Sequence, residues 1–424
     1  MTKFSFLTGT AAAVLALAAA SCSSESSEKA SGVIDVAGAV AQAQDLKVSD
    51  LGKTIKYVPL ETTDSSLVSD KFVLVAGDGA FLVANVGSEF GGGEISCLSF
   101  GTDGKFIARV GHLGQDPESY WYPLPIMAPD YKSAYFFGQN MQHYAFDGSY
   151  LGKSPRDGFI GYPGVSVAVD TMFIAVRNSR VGKYGPRVFS IYAEGFNSTV
   201  VDTTDVIPYP SDQDGGPVMY NELRIYNPKG IMRNGRTSYQ EYREGNSVTY
   251  QGGRNLESVW RVGKEAVHHR GVLNDTVFAI TPTSAEIAYI FDCGEGRLTQ
   301  QLLEKQEEMP SSSLFVTDIV ETSDRIVFAA SRGWIRADHT PYVGIYDKKT
   351  GETRAGDGYK GFVDDLTGFI SFYPITALPD GRLVGLITMD DIDKYLEENP
   401  DAKVPAEIAE LEEDANPILV IVGD

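Results

Sequence analysis

The segment His112–Tyr122 (HLGQDPESYWY) holds the densest group of chemically capable side chains in the sequence. It combines an imidazole, an amide, two carboxylates and three aromatic rings within eleven positions. Aromatic rings cover the apolar faces of sugars, and the polar groups hydrogen-bond to hydroxyls or peptide groups, so this composition suits recognition of carbohydrate or peptide. The candidate ligand-binding residues are His112, Gln115, Asp116, Glu118, Tyr120 and Trp121. The alternative that we favour is a structural loop shaped by Gly114 and Pro117, because loop motifs in repeat folds are often architectural.

Asp364 and Asp365 are a candidate metal site. Two carboxylates in a loop that contains glycine suit Ca²⁺, a hard cation that takes several oxygen ligands. Neighbouring strand residues point to opposite faces, however, so both can reach one ion only if the segment is a loop. No D-x-D-x-D-G array accompanies the pair, and we favour a turn-capping role. No cofactor is therefore predicted, and Ca²⁺ binding at this pair is kept as an alternative.

The segment Arg332–His339 (RGWIRADH) is a third candidate. Arg332, Trp334 and His339 would form a recognition patch with cationic and aromatic character if they met in one loop. An exposed hairpin explains the same residues and is the interpretation that we favour.

The sequence lacks the common catalytic motifs. It has no G-x-S-x-G, P-loop or H-E-x-x-H pattern, and it contains five histidines in all. No catalytic residue is assigned. Enzymes can also use scattered carboxylates that no local motif reveals, so missing motifs weaken the case for an enzyme without removing it.

The N-terminus has the pattern of an export signal. In residues 1–21, Lys3 precedes an apolar run over Ala11–Ala20 that is too short for a permanent membrane helix. The small residues before Cys22 resemble the lipobox of bacterial lipoproteins, which predicts lipidation of Cys22; the alternative is an ordinary secretory peptide with an incidental cysteine. We expect residues 22–45 to form a solvated tether, since Ser23–Ala30 (SSESSEKA) is small and polar.

Composition narrows the possible partners and supports a large folded body. The chain has 424 residues, of which 43% are hydrophobic, and its 36 basic and 57 acidic residues give a net charge of −21. Such a charge repels phosphate backbones, so nucleic acid is not expected as a partner. Cys97 and Cys293 lie far apart in strand-like runs and are expected to be buried free thiols, with a disulfide left open.

Short strands joined by Asp-Gly turns dominate residues 46–424. Asp-Gly supplies the positive φ angles of tight hairpins. The turns are Asp103-Gly104, Asp147-Gly148, Asp292–Gly296, Asp347–Gly351 and Asp380-Gly381. Their spacing approaches that of a four-stranded propeller blade, roughly 45–60 residues. An all-β propeller of six blades is the expected fold, with a pair of sandwiches or a β-helix as alternatives.

The C-terminal part contains both a helical exception and a closing strand. Residues 390–414 are expected to contain two helices, the second opened by Pro405. Pro417–Val422 (PILVIV) reads as a strand, and Ile55–Leu60 (IKYVPL) is its expected partner, because propellers commonly close by pairing strands from the two chain ends.

Four stretches resemble the six-bladed β-propeller lipoproteins of Gram-negative bacteria, which are similar in fold to NHL- and TolB-like propellers. The stretches are Val48–Thr63, Phe106–Tyr120, Asn274–Ile280 with Tyr289–Asp292, and Gly361–Gly385 with Glu413–Val422. The second departs from the family's G-x-x-G-Q-G-P-x-E-Y loop, since Asp116 replaces a glycine and Ser119 separates Glu118 from Tyr120. The resemblance implies a lipid-anchored envelope propeller and no agreed ligand or reaction.

These observations favour a monomeric, non-catalytic binding module of the cell envelope. It would be exported, held to the outer membrane only by a lipid anchor, on the periplasmic or the outer side, and would bind an envelope protein or a nutrient glycan or peptide through its loops. A metal-assisted hydrolase or lyase with carboxylates at the channel mouth is the alternative, and a scaffold for an envelope complex is a third possibility.

Overall fold

The computed structural model describes most of the chain beyond residue 31. The described residues are 32–69, 71–87, 94–154, 166–180, 187–195, 201–203, 207–208, 237–243, 246–252, 258–263, 266–270, 275–282, 284–297, 311–333 and 340–424. Of residues 176–252 only the backbone is described within these ranges. Cys22, Trp334 and His339, and the expected signal peptide over residues 1–21, lie outside them.

The described chain is built mainly of short strands. In the first half they are β1 (Val33–Asp35), β2 (Leu46–Lys47), β3 (Thr54–Pro59), β4 (Lys71–Ala76), β5 (Ala80–Gly87), β6 (Ile95–Gly101), β7 (Phe106–Arg109), β8 (Tyr120–Met127), β9 (Ser133–Gly138), β10 (Met141–Ala145), β11 (Tyr150–Ser154), β12 (Ser166–Val169), β13 (Met172–Arg180), β14 (Arg187–Gly195), β15 (Val201–Thr203) and β16 (Ile207–Pro208). In the second half they are β17 (Thr237–Arg243), β18 (Asn246–Gly252), β19 (Ser258–Val262), β20 (Ala266–Arg270), β21 (Thr276–Ile280), β22 (Ala285–Asp292), β23 (Leu314–Glu321), β24 (Arg325–Arg332), β25 (Thr340–Asp347), β26 (Thr353–Asp357), β27 (Phe362–Val363), β28 (Pro374–Ala377), β29 (Leu383–Ile387) and β30 (Ile418–Gly423).

Four-stranded antiparallel sheets form the blades of a propeller. They are β4–β7, β8–β11, β23–β26, the closing sheet β28-β29-β30-β3, and β19–β22, to which β1 adds a fifth, parallel strand beside β22. A β-dominated propeller is therefore confirmed, but five blades are established rather than the six expected. The backbone of β12–β16 also pairs as a sheet, and β17–β18 and β2–β27 pair separately.

Segments outside the blades explain the lower count. Six blades of the expected length would fill residues 46–424, but the β17–β18 ribbon and the helical segment after β29 add no blade. One turn also differs from its prediction. The residues after β22 form a 3₁₀ turn over Gly294–Gly296 rather than the centre of a hairpin.

The two chain ends pair within one blade, as predicted. β3 runs antiparallel to β30, with the register running from Thr54↔Gly423 to Pro59↔Ile418. Every residue of β30 is buried, and its alternating side chains enter two hydrophobic clusters. Ile418, Val420 and Val422 pack with Val327 and Val343 of the β23–β26 blade, whereas Leu419 and Ile421 pack with residues of β4–β6. β30 thus packs against both neighbours of the closing blade, the β4–β7 blade and the β23–β26 blade.

The tether expected over residues 22–45 does not extend to residue 45. From Gly32 the chain is folded: β1 pairs parallel to β22, and helix α1 (Val36–Ala41) follows with Asp35 as its N-cap. The Asp35 carboxylate accepts from the Gly38 N–H at 2.8 Å. Ile34 and Val36 are fully buried, so hydrophobic burial holds this segment against the folded body. The segment is apolar, whereas the run Ser23–Ala30 before it is polar.

One of the two helices expected over residues 390–414 forms. It is α2 (Met389–Glu398), and its N-cap Thr388 and Asp391 make a reciprocal capping box. The second segment makes successive turns instead, with Ile408 N–H donating to Pro405 O at 3.0 Å. Ile408 is buried in the core. A segment of this length between two prolines is too short to sustain a helix by itself, so its packing decides its shape.

Two further sequence expectations concern cysteines and membranes. Cys97 and Cys293 are buried free thiols, as predicted. Among the described residues no helix has the length and apolar character needed to cross a membrane.

Candidate functional site

A cavity of about 240 Å³ lies where the first strands of the blades end. Ala76 of β4, Met127 of β8, Glu321 of β23 and Ala377 of β28 contribute to its wall, together with Arg261 of β19 and the start of β12. Strands from separate blades meet there, so the first strand of each blade is the innermost one. This is the axial pit at which a propeller ligand would be sought.

The antiparallel order of each blade decides which loops surround this cavity. Turns after the first and third strands must lie at the cavity end, and loops before the first strand and after the second must lie at the other end. Residues of the first turns, including Tyr131, Ser323 and Gly381, do line the cavity. The loop before β8, which carries the first sequence candidate, and Arg332 at the end of β24 therefore lie at the opposite end of the ring.

A buried ionic cluster stands in the cavity wall around Glu321. The Glu321 side chain is fully buried. Lys348 Nζ donates to its Oε1 at 2.7 Å, Trp260 Nε1 donates to its Oε2 at 2.9 Å, and His268 Nδ1 lies 2.8 Å from the same Oε2. Lys348 also donates to Thr322 O at 2.6 Å. Both carboxylate oxygens therefore have partners, as a buried charge requires.

The cluster favours the ionised form of Glu321. Burial by itself raises the pKa of a carboxyl group. Here the hydrogen bond and charge of His268 and the charge of Lys348 outweigh burial, so the pKa of Glu321 lies below its ordinary value. The neighbouring Tyr289 responds in the opposite direction: burial, followed by the negative charge of Glu321, raises the pKa of Tyr289 to about 12.

Arg261 and Tyr131 form a second polar group in the same cavity. Arg261 Nη2 donates to Ala128 O at 2.7 Å and lies 3.5 Å from Met127 O, and its guanidinium carbon lies 4.0 Å from the centre of the Tyr131 ring. Tyr131 OH donates to Gly263 O at 2.7 Å. Tyr131 has φ 61°, in the left-handed region that a bulky residue rarely adopts. These contacts link the β8–β11 and β19–β22 blades at the cavity.

The loop of the first sequence candidate is held by its own polar groups. The Asp116 carboxylate lies 2.7 Å from His112 Nε2 and accepts from the backbone N–H groups of Glu118 and Ser119, both at 3.1 Å. The hydrogen bond to His112 is the main cause of a lowered pKa at Asp116. His112, Asp116 and Glu118 are exposed, as is Gln115.

The aromatic residues of this loop have different environments. Tyr120 is fully buried, stacks on Phe136 with ring centres 4.8 Å apart, and donates to Val110 O at 3.1 Å. Tyr144 OH donates to the Glu118 carbonyl at 2.6 Å. Trp121 is 45% exposed. The loop therefore brings His112 and Asp116 together, while Tyr120 serves the core and does not share a surface with Trp121.

The third sequence candidate, Arg332–His339, is described only at Arg332 and Gly333. Arg332 is half-buried at the end of β24, opposite Leu314 and Thr340 in the register. Its two companions lie outside the described residues, so their position relative to Arg332 is not described.

Asp364 and Asp365 face different partners. Asp364 is buried and accepts from the N–H groups of Leu366, Thr367 and Phe369 at 2.9–3.1 Å and from Tyr57 OH at 3.2 Å. Asp365 accepts from Ser49 N–H and Oγ. These contacts correspond to the turn-capping interpretation. Within the described part of the chain, no group of three or more His, Cys, Asp or Glu side chains is arranged to hold a metal ion.

The cavity residues were not predicted as site residues. A signal existed for Glu321, an acidic residue directly after Ile319 and Val320 in the strand-like stretch Leu314–Val320. His268 stands next to His269, and adjacent strand residues point to opposite faces, so the pair gave no sign of a shared site. Nothing in the local sequence relates Arg261 to Tyr131, because the contact depends on how two blades meet.

Comparison with solved structures shows that the fold of this chain is similar to that of a known protein. A Bacteroides fragilis protein provisionally named as exported is 13% identical, with a TM-score of 0.54 over 89% of this chain and 97% of that chain. An acylaminoacyl peptidase from Pyrococcus horikoshii is 12% identical, with a TM-score of 0.32 over 81% of this chain and 50% of that one. Only the first likeness supports a common fold.

Sequence comparison assigns the family. No curated protein matches the sequence. A family profile matches residues 31–423, which include nearly every described residue. The chain therefore belongs to the family described as Domain of unknown function (DUF4934).

Proposed function

We propose that the protein is an exported binding module that receives part of a ligand in the axial cavity. The observation that carries this proposal is the cavity itself, with apolar walls and the polar groups Trp260, Arg261 and Glu321 at its lining. Concave sites that combine apolar walls with a few placed polar groups are the usual form of ligand pockets. The expected ligand is a protein partner, a peptide or a glycan.

The size of the cavity limits what enters it. Pockets for drug-sized ligands measure about 300–1,000 Å³. A cavity of about 240 Å³ suits one amino-acid side chain or one sugar ring. The rest of a peptide, protein or glycan would lie over the short turns at this end of the ring.

The cavity supports binding better than the His112–Tyr122 loop does. In that loop Asp116 is engaged by His112 and two backbone N–H groups, and Tyr120 is buried. A ligand would have to replace these contacts, whereas the cavity already offers open volume. We therefore assign the loop a structural role in joining the first two blades.

Filling the cavity is expected to abolish binding. Thr376 lines the cavity and is half-buried, so Thr376→Trp would occupy its volume. We expect a loss of at least about 10-fold in affinity for any small peptide or sugar that binds, since a filled pocket excludes the ligand. Isothermal calorimetry after a thermal-shift screen of short peptides and mono- and disaccharides would measure it.

The control is Thr350→Trp, which adds the same ring to an exposed turn at the same end of the ring. It should bind as the unchanged protein does. Binding that survives Thr376→Trp unchanged, or a screen without any cavity-dependent binder, would contradict the proposal.

We further propose export with a lipid anchor on Cys22, in the outer membrane. The signal-like residues 1–21, the lipobox-like sequence before Cys22 and the provisional naming of the similar Bacteroides fragilis protein as exported support this. Metabolic labelling with a palmitate analogue should mark the mature protein, and Cys22→Ser should remove the label while Cys97→Ser retains it. An unlabelled wild-type protein in the membrane fraction would refute lipidation.

A further inference from the structure

Arg261 places a positive charge in the cavity wall without a direct ion pair among the described residues. Its Nη2 contacts are carbonyl oxygens, and its guanidinium lies over the Tyr131 ring. The buried Nη1 has no hydrogen-bond partner, and no carboxylate forms an ion pair with Arg261 among the described residues. Arg261 as a whole is half-buried, with Nη1 enclosed by protein. A guanidinium enclosed to this extent is normally paired with an anion, because removing its hydration is costly.

The neighbouring acids do not supply that anion. Glu321 lies in the same cavity, but Lys348 and His268 already hold its two oxygens. Asp130 acts on Arg261 through space, yet it is exposed and its Oδ1 accepts from the Lys132 N–H at 2.9 Å. The positive charge of Arg261 is therefore the part of the cavity's electrostatics that a ligand can complement.

The contacts of Arg261 also hold its guanidinium in one place. The carbonyl groups of the β8–β9 turn and the face of Tyr131 fix the group before any ligand arrives. Tyr131 is itself held by its hydroxyl contact to Gly263 and by the Asp78 N–H, which donates to Tyr131 O at 2.7 Å. A guanidinium fixed in this way loses little freedom on binding an anion, and arginine binds carboxylates with a planar array of donors.

Resting on the proposed function, we propose that the part of the ligand entering the cavity carries a carboxylate and that Arg261 binds it. Val259 and Ile126 provide apolar wall for the carbon skeleton beside the charge. Two sources share this chemistry: the C-terminal carboxylate of a peptide and the carboxylate of a uronic sugar. A neutral ligand would leave Arg261 without a counter-charge.

The first test uses the unchanged protein with matched acid and neutral probes. The pairs are N-acetyl-leucine against its amide, N-acetyl-phenylalanine against its amide, and galacturonate against galactose. Calorimetry at constant ionic strength should give at least about 10-fold tighter binding for the acid of one pair, as expected of a charge-assisted hydrogen bond. The pair that responds identifies the source. Equal affinities within every pair, or no binding by any acid, would overturn the proposal.

The second test uses variants of Arg261. Arg261→Met, which keeps length without charge, should bring the acid to the affinity of its neutral partner, and Arg261→Lys should restore part of the difference. Arg297→Met is the matched control, because Arg297 lies away from the cavity in an exposed pair with Asp275; it should keep the full acid preference. An acid preference that persists in Arg261→Met would overturn the assignment of Arg261.

The two proposals fail in distinguishable ways. Neutral probes that bind as tightly as their acid partners and lose affinity in Thr376→Trp would refute the carboxylate and leave the binding cavity standing. Probes that bind equally in Thr376→Trp would refute the cavity itself. If Arg261→Met does not fold, the acid and neutral pairs on the unchanged protein still decide the question.

Discussion

Leu419→Ala is expected to lower the free energy of unfolding by about 2–5 kcal/mol, the range for truncating a buried leucine. Leu419 is fully buried, and β30 pairs on one side with β29 and on the other with β3. The substitution removes apolar contact between the closing blade and the first blade and leaves a cavity there. Urea unfolding followed by circular dichroism would measure the change.

Ile418→Ala tests the other face of the same strand. Ile418 packs toward the β23–β26 blade, so a similar loss is expected if β30 holds both neighbours. Lys56→Ala is the control, because Lys56 is exposed on the adjacent β3 strand and should change stability by less than about 0.5 kcal/mol. A loss below about 1 kcal/mol for both buried substitutions would show that ring closure does not depend on β30.

Glu321→Ala is expected to cost about 3–5 kcal/mol, because it leaves the largely enclosed Lys348 charge, whose side chain is 15% exposed, without its counter-charge. The donors of Trp260 and His268 would lose their acceptor at the same time. Asp424→Ala is the control: the Asp424–Lys53 pair spans 3.7 Å with both side chains largely exposed, and such pairs contribute about 0–1 kcal/mol. Equal effects of the two substitutions in urea unfolding would contradict a stabilising role for the cluster.

The same cluster predicts an acid-dependent loss of stability. The pKa of Glu321 is lower in the folded protein than its ordinary value of 4.5. Its ionisation therefore stabilises the fold fully above that value, and the contribution disappears as the pH falls through the folded pKa. Unfolding measured from pH 6 downward should show a steeper loss below about pH 4.5 in the wild type than in Glu321→Gln. Parallel curves would argue against an ionised Glu321.

Prediction from sequence succeeded for local structure. The Asp103-Gly104 and Asp347–Gly351 turns form as expected, and the strand pattern of Pro417–Val422 identified β30 and its pairing with β3. The helix beginning at Met389 was also visible from its polar and apolar pattern. These features arise within a few residues, where the backbone angles of glycine and the alternation of side chains restrict the conformation.

The sequence did not indicate the cavity residues, because their contacts join distant parts of the chain. Glu321 meets His268, Trp260 and Lys348 across sequence separations of 53, 61 and 27 residues. Arg261 reaches the carbonyl of Ala128 from 133 residues away. Composition marked the His112–Tyr122 loop instead, since its polar groups are neighbours in sequence, and those groups hydrogen-bond mainly to one another.

The amino-acid sequence determined a β-rich chain with tight turns, an export-like N-terminus and two end strands suited to pair, because each depends on nearby residues or on hydrophobic pattern. The tertiary structure decided the blade count, the docking of residues 33–41 onto β22, and the meeting of Arg261, Tyr131 and Glu321 at one cavity. Those features depend on which strands become innermost and how adjacent blades pack. That packing is a property of the closed ring and is not encoded in any single segment.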